Sequence, residues 1–164
     1  MNIIGQQIVL IAVMFDGSGI HSVKQQSQER LGLQIPDEYI REAAYRDTAT
    51  TYRMTNELLD LPDPPTCIIY PDDFASFGGI NAIRERGLRI PEDISVAGYD
   101  GIQFARQLEP KLTTVQQDTE QIGCLAAREL ISLIERPKTT IIEQVIVPGK
   151  VVEGKSVAQI PTDK

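Results

Sequence analysis

Four aspartates close apolar runs in this chain: Asp16, Asp72, Asp73 and Asp100. Carboxylates placed this way suit two kinds of chemistry. Their paired oxygens can accept hydrogen bonds from the hydroxyls of a small polar molecule, a vicinal diol above all. They can also gather Mg2+ for phosphoryl transfer. The second use needs a phosphate cradle, and the run DGSGIHSVK at 16–24 lacks the G-x-x-x-x-G-K-[ST] spacing. His21 is the single histidine; it pairs with no plausible nucleophile, and no His/Cys set has zinc spacing. It reads as a surface or capping residue. Binding is therefore favoured over catalysis, and no catalytic residue, metal or cofactor is expected.

Each aspartate needs a strand to deliver it. The runs 8–14, 67–70 and 94–98 are short, apolar and nearly unbroken, as strands buried on both faces are. They end at Asp16, at Asp72-Asp73 and at Tyr99-Asp100-Gly101. A short strand is predicted within 39–45 and an extended piece at 112–115. A weak helix is predicted over 21–30, where glutamines interrupt any apolar stripe. Thr48 or Thr51 is expected to cap the next helix, which the proline cluster at 62–65 ends. Asp73 is expected to cap a helix whose stripe is Phe74, Phe77, Ile80 and Ile83, with Gly87 at its C-terminal end. Gly78 and Gly79 inside it cost about 1 kcal/mol each relative to Ala. That implies close approach, by a second subunit or by the chain's own sheet.

The last third predicts a helix over 118–136, with Asp118 and Gln121 spaced as a capping box. Ile122, Ala126, Leu130, Leu133 and Ile134 form its broad apolar face. Two strand pieces, 141–147 and 151–152, are hinged at Pro148-Gly149. The alternation predicts an α/β three-layer sandwich with a mainly parallel sheet. Ligands of open parallel sheets sit outside the strands' carboxyl ends, which brings Asp72, Asp73 and Asp100 to one crevice.

Composition narrows the partners. The 164 residues carry 23 acidic and 16 basic side chains, a net charge of −7, with no Lys/Arg cluster. These residues should repel a phosphate backbone rather than grip it. Cys67 and Cys124 fall in a strand and a helical pattern, as buried thiols of a reducing compartment do. The opening MNIIGQQIVLIAVM reads as a strand rather than a signal peptide, and no run approaches the roughly 18 apolar residues of a membrane span.

The runs LLDLPDPPT, YPDDFASFGGINAIRERGLRIPEDISVAGYD, LEPKLTTVQQ and IGCLAARELISLIER together resemble the C-terminal part of LacI/GalR-type transcriptional regulators. The resemblance runs from about 8 to 155 and implies a periplasmic-binding-protein-like effector domain of two lobes. It implies that residues 1–114 with 149–164 form the C-terminal lobe. Residues 115–148 would belong to an N-terminal lobe otherwise absent from this chain, as would the helix-turn-helix that meets operator DNA. The helix at 118–135 must then be covered by another copy, packed abnormally, or deprived of its partner residues. The expected role is effector binding and dimerisation in a cytoplasmic bacterial regulator; the alternative is the sugar-binding protein of a transport system.

The resemblance also names residues. Asp100 stands at a position that contacts effector in the family, the alternative being a turn cap before Gly101. Asp72 stands where the family has a ligand-touching Asn, so a departure to a pure acceptor changes which hydroxyls fit. Tyr45 is either the aromatic that stacks on a sugar or a core residue. The family's arginine is missing from 22–26, leaving Gln26 or Lys24 for its place, or else an exposed polar face. Phe74, Phe77, Gly78, Asn81, Ile102 and Phe104 match the family's subunit-contacting edge, so a homodimer is expected. The effector is expected to be a sugar or related small molecule.

Overall fold

The computed structural model describes residues 8–12, 29, 32, 35–139 and 144–158. Asp16, His21, Lys24 and Gln26 lie outside them, as do most of the helix predicted over 21–30 and the start of the strand predicted at 141–147. Six described strands form one sheet: β1 (Ile8–Ala12), β2 (Arg41–Glu42), β3 (Cys67–Ile69), β4 (Ser95–Asp100), β5 (Thr113–Gln116) and β6 (Lys150–Val152). Their order is β2-β1-β3-β4-β5-β6. All neighbours run parallel except β5 and β6. The predicted α/β class with a largely parallel sheet is what is observed.

Three described helices accompany the sheet: α1 (Thr48–Leu59), α2 (Asp73–Glu85) and α3 (Thr119–Glu135). Each begins with an aspartate whose side chain accepts a backbone N–H of the first turn, which satisfies a donor left free by the helix start. For α1 the cap is Asp47, bonded to Thr50 N at 2.9 Å, not Thr48 or Thr51. Thr51 is already a turn inside, fully buried, and its hydroxyl donates to the Ala75 carbonyl of α2 at 2.7 Å. For α2 the cap is Asp72, bonded to Ala75 N at 2.8 Å, one residue earlier than expected. Asp118 caps α3 as predicted, through Gln121 N at 2.9 Å. The strand expected within 39–45 shrinks to Arg41–Glu42, behind a 3-10 turn at Asp37–Tyr39. Residues 144–149 form no strand, and pairing resumes only at Lys150.

The core lies between β3, β4 and the α1–α2 pair, built from Leu58, Ile68, Tyr70, Ile83, Ile94 and Val96. Tyr70 is buried whole, and burial raises its phenol's pKa. Its oxygen stays satisfied by Thr55 Oγ1 at 2.8 Å, as a buried hydroxyl requires. The glycine pair of α2 is explained here. A methyl on Gly79 would overlap the Tyr70 phenol, and one on Gly78 would overlap the Thr48 carbonyl of α1. The close approach read from the sequence is therefore to this chain's own α1 and Tyr70. Gly78 is buried against α1, which corrects its assignment to a subunit contact. Cys67 is inert, burial pushing its thiol up to about 11.

Candidate functional site

The carboxyl ends of β2, β3, β4 and β5 bring Tyr45, Asp72, Asp73, Asp100 and Gln117 to one rim of the sheet. Asp100 ends β4 with φ at +103°, followed by Gly101 at +71°. A side chain at Gly101 would press on Gln116, so glycine is needed there. An aspartate in that backbone region is uncommon, and such residues gather where ligands are held. Its carboxylate meets neutral donors from two other elements. Gln117 Nε2 donates to Oδ1 at 2.6 Å, and the Tyr45 phenol donates to Oδ2. The Tyr45 phenol is pushed up to about 12, first by that bond and then by desolvation, with Arg46 opposing the shift.

The two adjacent aspartates do different work. Asp72 is 1 % exposed, with Oδ1 on Ala75 N and Oδ2 on Arg46 N at 2.9 Å. Both oxygens are engaged inside the chain, so Asp72 shapes the rim through the Arg46 backbone rather than by offering a free acceptor. Asp73 is fully buried. Its Oδ1 accepts from Thr114 Oγ1 at 2.6 Å and its Oδ2 from Ile102 N at 2.8 Å. Burial raises its pKa, and these two bonds oppose the rise. Asp73 thus ties α2 to β5 and to the segment leaving Asp100. Gly98 makes room for it, since a methyl there would strike Asp73 Oδ1.

Two residues of the rim escaped the sequence reading. Gln117 lies just beyond β5, so the strand-end reasoning that found the aspartates would have found it had polar amides been counted. Arg46 gives no such signal. Its φ is +61°, and its guanidinium carbon lies 5.6 Å from the Tyr45 ring centroid and 5.5 Å from that of Phe74. That arrangement needs a left-handed turn and a ring from another element. Beyond it run Phe74, Phe77 and Phe104, with centroids 5.3 Å and then 5.5 Å apart. Phe74, Asn81 and Phe104 are exposed, and Phe77 and Ile102 half-buried. Past Gln117 a cavity of about 300 Å³ is lined by Gln117, Asp118, Glu120, Pro148 and Lys150.

A sheet of this topology with a cluster of polar side chains at its carboxyl rim has counterparts among known proteins. The model of the periplasmic binding protein-like domain matches residues 8–157. The chain belongs to this family. Within the family it is similar to LacI-type regulators. It is 37 % identical over 130 residues to the probable HTH-type transcriptional repressor ExuR of Bacillus subtilis (strain 168), covering 74 % of this chain and 39 % of that protein. A LacI family transcriptional regulator from Enterococcus faecium with bound ribose superposes with a TM-score of 0.77 at 28 % identity, covering 95 % of this chain and 58 % of that one. The complex of the transcriptional regulator CelR with cellobiose gives 0.81 at 25 % identity, covering 93 % and 47 %. The relatives are regulators, which favours that reading over a transport protein. The chain spans about two fifths of the ExuR relative's length. Among the described residues no helix is long and apolar enough to cross a membrane, and no His/Cys/Asp/Glu group is disposed to hold a metal.

Proposed function

We propose that this periplasmic-binding-protein-like chain is one jaw of the effector site of a cytoplasmic LacI-type transcriptional regulator. Its ligand is a small polyhydroxylated molecule gripped at Asp100. The observation that carries this is the Asp100 carboxylate itself, held at an open strand end by only a phenol and an amide. Both partners are neutral side chains that can re-pair with ligand hydroxyls. The sugars bound by the ribose and cellobiose relatives support the ligand class. Tyr45, 44 % exposed, offers a ring face for a sugar's apolar side.

Residues 115–148 are assigned to a second lobe. Helix α3 buries no residue, and an apolar groove between Ile122, Leu125, Ala126, Val145 and Val147 stands beside it. Both features suit a sheet packed across this face. The exposed ring line Phe74–Phe77–Phe104, with Asn81 and Ile102, is the surface for a homodimer. Operator DNA is then met by a helix-turn-helix outside these residues, and effector occupancy shifts the DNA-bound population by linkage.

The test is calorimetric titration of the protein with neutral and acidic monosaccharides, beside Asp100→Asn. The variant exchanges one charged acceptor for a donor, and hydrogen bonds to charged groups contribute about 1.5–3 kcal/mol. At least about tenfold weaker binding is expected. Binding by Asp100→Asn at wild-type strength would remove Asp100 from the site.

A further inference from the structure

We infer that Asp73 is a positioning residue: it fixes the turn at 100–102, and through that turn both the Asp100 carboxylate and the ring of Phe104. The inference rests on the binding role proposed for Asp100 and adds what holds that carboxylate in place. Strand β4 ends at Asp100, and the chain then leaves the sheet at φ +103° for Asp100 and +71° for Gly101. Glycine accepts such a φ freely, whereas an aspartate is strained there unless its surroundings hold it. The Gln117 amide and the Tyr45 phenol hold only its side chain, and they are the partners that ligand hydroxyls would replace. The backbone hold lies behind the turn, where the Ile102 N–H donates to Asp73 Oδ2 at 2.8 Å. The Gly101 N–H bears on the same carboxylate.

Asp73 is well placed to act as an anchor. It is fully buried, its Oδ1 accepts from Thr114 Oγ1 of β5 at 2.6 Å, and Gly98 of β4 leaves the space it fills. Burying a carboxylate is costly even when it is hydrogen-bonded. The helix start does not require it, because Asp72 already caps α2. The strained turn accounts for a carboxylate at this position.

The same peptide starts the next element. The Ile102 carbonyl accepts from the Ala105 N–H at 3.1 Å, and Ala105 is fully buried. This bond opens the 3-10 turn Gln103–Gln107, which carries Phe104. The Phe104 ring centroid lies 5.5 Å from that of Phe77. With its N–H on Asp73 and its carbonyl on Ala105, Ile102 is the post between the rim upstream and the ring line downstream. One buried carboxylate thus sets two surfaces.

Nuclear magnetic resonance of protein isotope-labelled in its Tyr and Phe rings reads both surfaces without any ligand. The Tyr45 phenol, pushed up to about 12 chiefly by its bond to Asp100, reports the rim. The nuclear Overhauser contact between Phe77 and Phe104 reports the ring line. Asp73→Ala removes the acceptor, so Tyr45 should titrate near its ordinary value of 10.0, and the Phe77–Phe104 contact should be lost. At about pH 11 its Tyr45 ring should then be mostly ionised where that of the wild type is mostly neutral. Asp73→Asn, whose amide oxygen can still accept from Ile102 N, should restore both signals. Ile102→Pro deletes the donor while keeping the backbone angle, since φ at Ile102 is −62° and suits proline. It should change both signals in the direction of Asp73→Ala, and it decides alone if that variant does not fold. Ile83→Ala, which empties a buried site of the same helix, should leave both unchanged. A wild-type signal at either surface in Asp73→Ala overturns the inference, as does failure of Asp73→Asn to restore them, or an equal change in Ile83→Ala. Sugar binding by Asp100→Asn at wild-type strength would remove the effector role and leave these ring signals as they are.

Discussion

Helix α2 buries eight of its thirteen residues, whereas α3, with seventeen, buries none. Their starts are alike, each capped by an aspartate on a first-turn N–H, and both carry apolar stripes. They differ in what stands opposite. Helix α2 has small residues where α1 and Tyr70 approach, and its side chains close over Ile83 and Ala82, both fully buried. Helix α3 presents Ile122, Leu130, Ile131 and Ile134 at 39 to 70 % exposure. An amphipathic pattern states what a helix is able to bury, not whether the surface it fits is present. The exposed stripe of α3 is the surface that the proposed second lobe would cover.

The widest contrast should come from the glycines. Gly79→Ala forces a methyl onto the buried phenol of Tyr70 and its bond to Thr55. Overpacking joined to a broken buried hydrogen bond should cost about 3 kcal/mol or more. Gly123 of α3 has nothing within reach of an added methyl, so Gly123→Ala should stabilise that helix by up to about 1 kcal/mol. Urea denaturation followed by circular dichroism reads both. Equal losses from the two variants would break the contrast.

A second pair sharpens it. Ile83→Ala empties a fully buried site in α2 and should cost about 2–5 kcal/mol. Ile134 of α3 is 70 % exposed, so Ile134→Ala should change stability by less than about 0.5 kcal/mol. A larger loss at Ile134, growing with protein concentration, would mean that a second copy covers α3 in solution.

The same distinction explains what could be read from the chain beforehand. Strands β3 and β4, α2 and α3 were legible because apolar runs, caps and breakers are local signals. Asp100 was legible because a strand end places its residue at the rim whatever the rest does. Asp72 took the cap expected of Asp73, and Asp73 turned to Thr114 and Ile102 instead, since neighbouring aspartates compete for one cap and only packing decides between them. Thr51, read as a cap, instead faces Ala75 of α2, a partner that no periodicity in its own helix announces. Gly78 and Gly79 announced a close approach, but the approaching atoms belong to Thr48 and Tyr70, distant in sequence. Arg46 was unreadable because its place needs a left-handed turn with its neighbouring ring, and an aspartate and a second ring from a distant part of the chain. Where a residue's role depends on long-range partners, sequence pattern alone stops short.

The smallest effect concerns the first turn of α2, where burial reaches a charge. Asp73 has its pKa raised in the folded chain, chiefly by desolvation. A raised carboxylate binds its proton more tightly folded than unfolded, so protonation favours the fold. That contribution is fully present below the unfolded value of 3.8 and is lost as pH rises through the higher folded value. Asp73→Asn removes this titration while keeping the shape, because the amide oxygen can accept from Ile102 N and the Thr114 hydroxyl can turn to accept from the amide. Asp47 and Asp60 shift the opposite way and cancel when the two proteins are compared. Urea midpoints measured from pH 3 to pH 7 should therefore show the wild type gaining on Asp73→Asn as pH falls. A difference flat with pH, or one that moves towards the variant in acid, would mean that Asp73 keeps its charge at no expense to the fold. The burial that distinguishes α2 from α3 would then end before its first turn.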